Sequence, residues 1–267
     1  MTLFELQLLT SFFVGGGLIV LLIFWAEKLP HHLAGLILGM PSVVAIGLFF
    51  LAWTLSPQEV AFIIPSSLVP LGLSAFFPCF YIPVAQKIES FSWHKYWKIA
   101  LSLTVATILW GCFALPVVLF ELNHFWINTL LYGLLVWGSY ALLHRQDFPK
   151  PPSLVYTWPQ KLGRCIFVGS MMVLVVWGGK MLGPFWGGLF TMFPIVGTSS
   201  LLIFHYYYSP NALIPALQKY PLGSLSIFVY VIVAMQTFPM IGFVYGTILA
   251  FLASFIALFF LSKIARI

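Results

Sequence analysis

The sequence predicts an all-α fold, a polytopic transmembrane helix bundle of about nine spans built as two inverted four-helix repeats joined by a connecting helix. Three observations predict it. The chain of 267 residues is 61% hydrophobic and only 7% charged, with a mean hydropathy of +1.04, whereas a soluble domain carries about a quarter charged residues. Apolar runs of about 20 residues, long enough to cross a bilayer as helices, follow one another along the chain. The phrase GLILGMPSVVAIGLFFLAWTLSP at 35–57 returns as GLFTMFPIVGTSSLLIFHYYYSP at 188–210, with its Gly-Leu, Pro and Ser-Pro at matching spacing.

Polar and proline-rich breaks divide the chain into spans at about 6–26, 32–54, 60–84, 98–120, 125–144, 164–182, 185–207, 211–237 and 240–262. The first, MTLFELQLLTSFFVGGGLIV, lacks the positive n-region and small-residue cleavage site of a signal peptide and is expected to be a retained span. All are expected to be helical, because lipid offers no partner to an unpaired backbone N–H or C=O and the runs are too long and uniform for barrel strands.

With these spans, Lys28, Lys87, Lys95, Lys98, Arg145, Lys150, Lys161, Arg164, Lys263 and Arg266 share one side of the membrane, and only Lys180 and Lys219 are left over from the twelve cations. The positive-inside rule makes that side cytoplasmic, with the N-terminus outside and the C-terminus inside. The net charge of +6 is thereby explained by orientation. Nucleic acid is excluded as a partner, since the cations are scattered and form no basic stripe.

The repeat has an offset of 153 residues, which pairs Pro41 with Pro194, Pro57 with Pro210, Gly35 with Gly188 and Gly16 with Gly169. VPLGLSAFF at 69–77 then matches YPLGSLSIF at 220–228 with offset 151, and TIL at 107–109 matches TIL at 247–249 with offset 140, the shrinkage following an extra polar loop in the first copy. This divides the chain into residues 1–122 (spans one to four), 123–163 (connecting span and cytoplasmic loop) and 164–267 (spans six to nine). An odd number of crossings separates the copies, so they enter the membrane from opposite faces. That arrangement suits alternating access around a site where corresponding helices are broken by Gly or Pro.

The expected site follows from those breaks. Pro41 and Pro194 lie inside spans two and seven, where a proline frees a backbone carbonyl. Ser42 neighbours the first break and Thr191, Thr198, Ser199 and Ser200 the second. Two readings fit: broken helices whose carbonyls and hydroxyls bind a solute, or ordinary kinks satisfied by neighbouring helices. Lys219 lies nine residues past Pro210, roughly 13 Å into its helix. A cation at that depth should face the interior or a wet cavity, with Gln218 and Tyr220 beside it, unless its span begins later and it snorkels. The equivalent region of the first copy is apolar, with Ser66 and Ser67 adjacent.

Other polar residues suggest less. Glu27 and Lys180 end spans one and six and are expected to be separate interfacial charges. Glu59 and Glu121 belong to the outer side. His205, before Tyr206, Tyr207 and Tyr208, fits an interfacial aromatic belt. His31 and His32 lack a third metal ligand. Cys79, Cys112 and Cys165 behave as small core residues. GGG at 15–17 lies in an apolar span, where small residues allow close helix packing and not dinucleotide binding. No cofactor and no metal is expected.

The second copy's GLFTMFPIVGTSSLLIFHYYY and PLGSLSIFVYVIVA resemble the GlpM-type small bacterial inner-membrane proteins, through Gly188, Leu189, Phe193 and Pro194. The first copy keeps Gly35, Leu36 and Pro41 but has Met40 in place of the phenylalanine. The resemblance implies a fused duplicate of such a unit in a bacterial inner membrane, and carries no substrate or catalytic residue.

The expected function is that of a permease moving a small solute or ion, with Lys219 as its principal charge and an anionic solute favoured. The lipid bilayer is its other partner, and pairing into a homodimer is left open. The competing expectation is a non-transporting accessory or scaffold subunit of an envelope complex. An enzyme is not expected, since no span carries an acid-base pair.

Overall fold

The computed structural model describes residues 2–28, 41–144 and 157–264. The described residues form helices and contain no strand. In chain order these are α1 Leu3–Lys28, α2 Ser42–Thr54, α3 Pro57–Glu89, α4 Lys95–Leu119, α5 Phe125–His144, α6 Trp158–Met181, α7 Pro184–Thr191, α8 Ile195–Tyr207, a 3-10 turn Pro210–Ala212, α9 Leu213–Leu217 and α10 Tyr220–Ile264. Among the described residues seven segments are long and apolar enough to cross a membrane, with α7 and α8 counted together as one. Their outer faces carry exposed large apolar side chains such as Phe13, Phe113, Leu130, Trp137, Met240 and Ile248. So broad an apolar surface belongs in lipid.

Local chemistry sets the helix ends. Ser56 caps α3, its hydroxyl accepting from the Glu59 N–H at 3.1 Å and donating to the Glu59 carboxylate at 2.7 Å, with Pro57 opening the helix. α6 starts six residues before the expected span at 164, because the Thr157 N–H donates to the Gln160 side chain at 2.9 Å and fixes the first turn there. Arg164 is therefore about 9 Å inside the helix and not at its mouth.

α10 holds two spans. Its 45 residues would reach about 67 Å if straight, and Ser226 and Ser254 would lie about 42 Å apart. Instead the Ser254 hydroxyl donates to the Ser226 carbonyl at 2.8 Å, Tyr230 and Phe251 meet with ring centroids 6.5 Å apart, and Gly246 packs on Phe238. The helix folds back on itself at Gly242, whose φ of 79° and ψ of 165° break the helical run. The reversal falls beyond the gap expected between 237 and 240, because Pro239 stays within the helix and the residue able to adopt positive φ is three positions on.

The central helix is α3, whose apolar window is 89% buried and which packs on α4, α5, α7 and α10. It contains Pro65, Pro70, Pro78 and Pro83, and α5 with its preceding turn supplies polar partners to its carbonyls. Asn123 donates to the Phe62 carbonyl at 2.7 Å, Asn128 to the Pro65 carbonyl at 3.0 Å and Ser139 to the Ala75 carbonyl at 2.8 Å.

α1 and α6 run antiparallel. Gln7, near the start of α1, donates to the Trp53 carbonyl at 3.0 Å, and Gly179, near the end of α6, packs on Leu51 of the same last turn of α2. They cross closely: a Cβ on Gly16 would lie 2.7 Å from the Cys165 carbonyl, and one on Gly169 would lie 2.8 Å from the Phe12 carbonyl. Both residue pairs are related by the offset of 153, so the crossing is self-complementary in the manner of a two-fold interface. Gln160, 153 positions after Gln7, likewise reaches the end of α8, donating to the Tyr207 hydroxyl at 2.9 Å.

Contacts between Gln86 and Asn211, Lys95 and Tyr206, and Gln160 and Tyr207 define one end of the bundle, where Lys87, Lys98 and Lys161 also lie. The turns holding Ser56, Glu121 and Leu182 form the other, with Glu59 and Lys180 near them. His31, His32, Arg145, Lys150, Arg266 and the Gly35–Met40 half of span two lie outside the described residues, as does the side chain of Glu27.

Candidate functional site

Both prolines stand immediately before a helix. Pro41 precedes α2 and Pro194 precedes α8, with φ of −75° and −76°, and each following helix is 13 residues long. The first helical bonds match as well: the Ala45 N–H donates to Pro41 and the Thr198 N–H to Pro194, both at 2.7 Å. Val43, Val44 and Leu48 of α2 share one buried apolar cluster with Met192 and Ile195 of the second break. Gly47 of α2 packs directly on Thr191 of α7.

The polar groups at this junction divide into satisfied and orphaned. The Met192 carbonyl, released by the break, accepts from the Ser74 hydroxyl of α3, and the Trp110 indole of α4 donates to that same hydroxyl oxygen at 3.2 Å. Thr191 donates to the Gly187 carbonyl of its own helix at 2.8 Å. By contrast, the hydroxyls of Ser42 and Thr198 are buried without a hydrogen-bond partner among the described residues. Leaving such a group unpaired costs about 1–3 kcal/mol, and these two stand beside the two prolines.

A buried cation adjoins them. Arg164 of α6 is 5% exposed, its Nε donating to the Ser199 hydroxyl at 3.1 Å and its Nη2 to the Ser200 hydroxyl at 2.5 Å. Both serines lie in the first two turns of α8, whose amino end carries partial positive charge of its own. Guanidinium and helix end together suit an anion. The sequence signal for Arg164 was the Thr157-x-x-Gln160 capping pattern, which starts the helix early enough to carry the arginine below its surface.

Lys219 is not the interior charge expected. It occupies the two-residue turn between α9 and α10 with its side chain exposed, because the helix restarts there and turns the lysine outward. Gln218 beside it is half-buried, and Tyr220 reaches inward, its ring against Gly197 of α8. Ser67 is buried against Gly188 of α7, which brings it to the second break, and it donates to the Ile63 carbonyl at 3.1 Å. Ser66 faces elsewhere: its hydroxyl donates to Ile63 at 2.7 Å and its N–H to the Asn123 side chain at 3.1 Å, toward the outer turn.

His205 also departs from expectation. Tyr206 and Tyr207 are exposed at the end of the bundle as belt residues, but His205 is 1% exposed, with its Nδ1 2.8 Å from the hydroxyl of the buried Tyr81. Helical rotation separates it from its neighbours, and its partner lies 124 positions away in the chain. No protein-family model, no curated protein and no solved structure matches this chain, so the geometry of these residues is what bears on function.

Proposed function

We propose that this protein is a membrane transporter in which residues 1–122 and 164–267 are inverted copies of one four-helix unit, joined by 123–163, that rock about the paired breaks at Pro41 and Pro194. One observation carries the reading. Two helices of equal length, 153 positions apart, start at equivalent prolines and meet at a junction with orphaned hydroxyls, while α1 and α6 cross antiparallel through equivalent glycines. Broken helices at corresponding positions of two inverted halves are where alternating-access proteins place their sites. The solute proposed is small and anionic, taken by Arg164, Ser199, Ser200 and Thr198 at the second break and by Ser42 at the first. Lys219 then serves at the approach to the site and not at its centre. Descent from a duplicated GlpM-like unit of a bacterial inner membrane accords with the same halves.

A non-transporting accessory subunit is the competing proposal, and one observation favours it: the Met192 carbonyl at the second break is already taken by the Ser74 hydroxyl, which Trp110 supports, and the junction is walled by an apolar cluster. The two readings separate in one experiment. With Cys79, Cys112 and Cys165 replaced, single cysteines at Ser42, Thr198 and Ser199 should react with a membrane-impermeant thiol reagent from each side of the membrane if the site alternates. Failure of all three to react from either side would leave the accessory role.

A further inference from the structure

His205 lies near the end of α8, and its Nε2 is buried with no hydrogen-bond partner among the described residues while its Nδ1 meets the Tyr81 hydroxyl of α3, the two rings edge to face. An apolar side chain would fill this space without an orphaned polar atom. The pairing is suited to a change of charge. With Nδ1–H donating to the tyrosine hydroxyl oxygen, Tyr81 serves a neutral ring whose lone pair is on Nε2 and an imidazolium alike. Nε2 does not share that flexibility: the proton that charges the ring adds there, and the N–H so formed finds no acceptor among the described residues in this conformation.

The surroundings show where the charged ring would turn. From α3, Glu89 stands two turns beyond Tyr81 at the end of the bundle, and from α4 come Lys95 and Lys98. Lys98 holds Glu89, donating to its carbonyl oxygen at 2.8 Å with the carboxylate 3.9 Å away. Lys95 lies over the Tyr206 ring, which stacks on Tyr96. From α6, Arg164 is bound to Ser199 and Ser200 of α8, while Lys161 lies over the Trp158 ring of its own helix. Beyond α8, Asn211 accepts from Gln86 of α3. The positive charges of Lys95 and Lys98 oppose a charged ring here, while the exposed carboxylate of Glu89 favours it and lies outward.

We propose that His205 is a proton-binding site whose occupancy opens this end of the bundle. The proton adds to the ring from solvent with no other bond broken, and Nε2–H then seeks Glu89 or water. α8 starts afresh at Pro194, so its last turn can swing from α3 without unwinding the helix before it. The proposal assigns a coupling ion to the transport reading and rests on that reading for its purpose.

The test uses the full chain lacking its native cysteines, in liposomes, with a single Leu201→Cys on the buried face of α8 one turn before His205. Its reaction with an impermeant maleimide is read against an exposed Ser90→Cys control at the same end, which removes the effect of pH on thiol chemistry. Between about pH 8 and about pH 5, the span over which imidazole titrates, the ratio should rise about tenfold. His205→Gln should flatten it. Tyr81→Phe keeps the imidazole and should keep the rise at a lower pH, since an imidazolium loses more than a neutral ring when its partner is removed. A ratio flat with pH in the parent, or an unchanged rise in His205→Gln, overturns the proposal. A rise with Ser42→Cys and Thr198→Cys unreactive from both sides leaves the proton site standing and removes the transporter. Reactivity from both sides with a flat ratio does the reverse.

Discussion

Ser74 is the residue on which the second break depends. Its hydroxyl joins the Met192 carbonyl to the Trp110 indole, so Ser74→Ala orphans an acceptor and a donor together. Hydrogen bonds between membrane helices are worth about 0.6 kcal/mol on average and up to about 1.7 kcal/mol. Thermal melting in detergent should therefore show Ser74→Ala costing about 1–2 kcal/mol, with Ser67→Ala, whose hydroxyl bonds only within its own helix, costing less than half as much. Arg164 makes a different case. Its fork reaches two hydroxyls separately, which a lysine ammonium does not reproduce, so Arg164→Lys should keep the charge yet lose solute-dependent stabilisation by small anions in the same melting assay. At this scale the sequence was a partial guide. Ser42, Thr191, Thr198, Ser199 and Ser67 could be named because they flank prolines or fall at repeat positions. Arg164 is legible only through the Thr157 and Gln160 cap, since hydropathy places a charge at the end of a span, and the outward turn of Lys219 depends on a helix restart that hydropathy does not register.

Elements were more legible, because a run of apolar residues crossing lipid has little choice but helix. The break at Pro194 lies where the missing N–H demanded it, and a helix likewise begins just after Pro41. The reversal in α10 was misplaced by a few residues, since Pro239 is tolerated within the helix while Gly242 alone takes the positive φ. That backbone region is nearly closed to residues with a Cβ, and Gly242→Ala should lower stability by about 1–3 kcal/mol. The crossing of α1 and α6 makes a second test. Gly16→Leu and Gly169→Leu each drive a side chain into backbone and should each cost about 1–3 kcal/mol. Because both act on one crossing, their effects should fall short of additive in the double variant. Gly17→Leu, with nothing within 4 Å of its Cβ position, should be neutral in the same melts.

For the whole molecule the alternation of helix ends sets a topology. Reporters at Ser56, Glu121 and Leu182 should appear on one side of the membrane, and reporters at Phe91 and in the loop 145–156 on the other, the latter cytoplasmic if cations decide orientation. A reporter at Gly242 joining the first group would confirm that α10 is two crossings. The hydrogen-bonded link between Ser74, Trp110 and Met192 has a mechanical consequence for any such molecule that moves. It fastens the end of α7 to α3 and α4. If the proposed halves rock, the parts that travel together are drawn from both of them, since Met192 lies within 164–267 while Ser74 and Trp110 lie within 1–122.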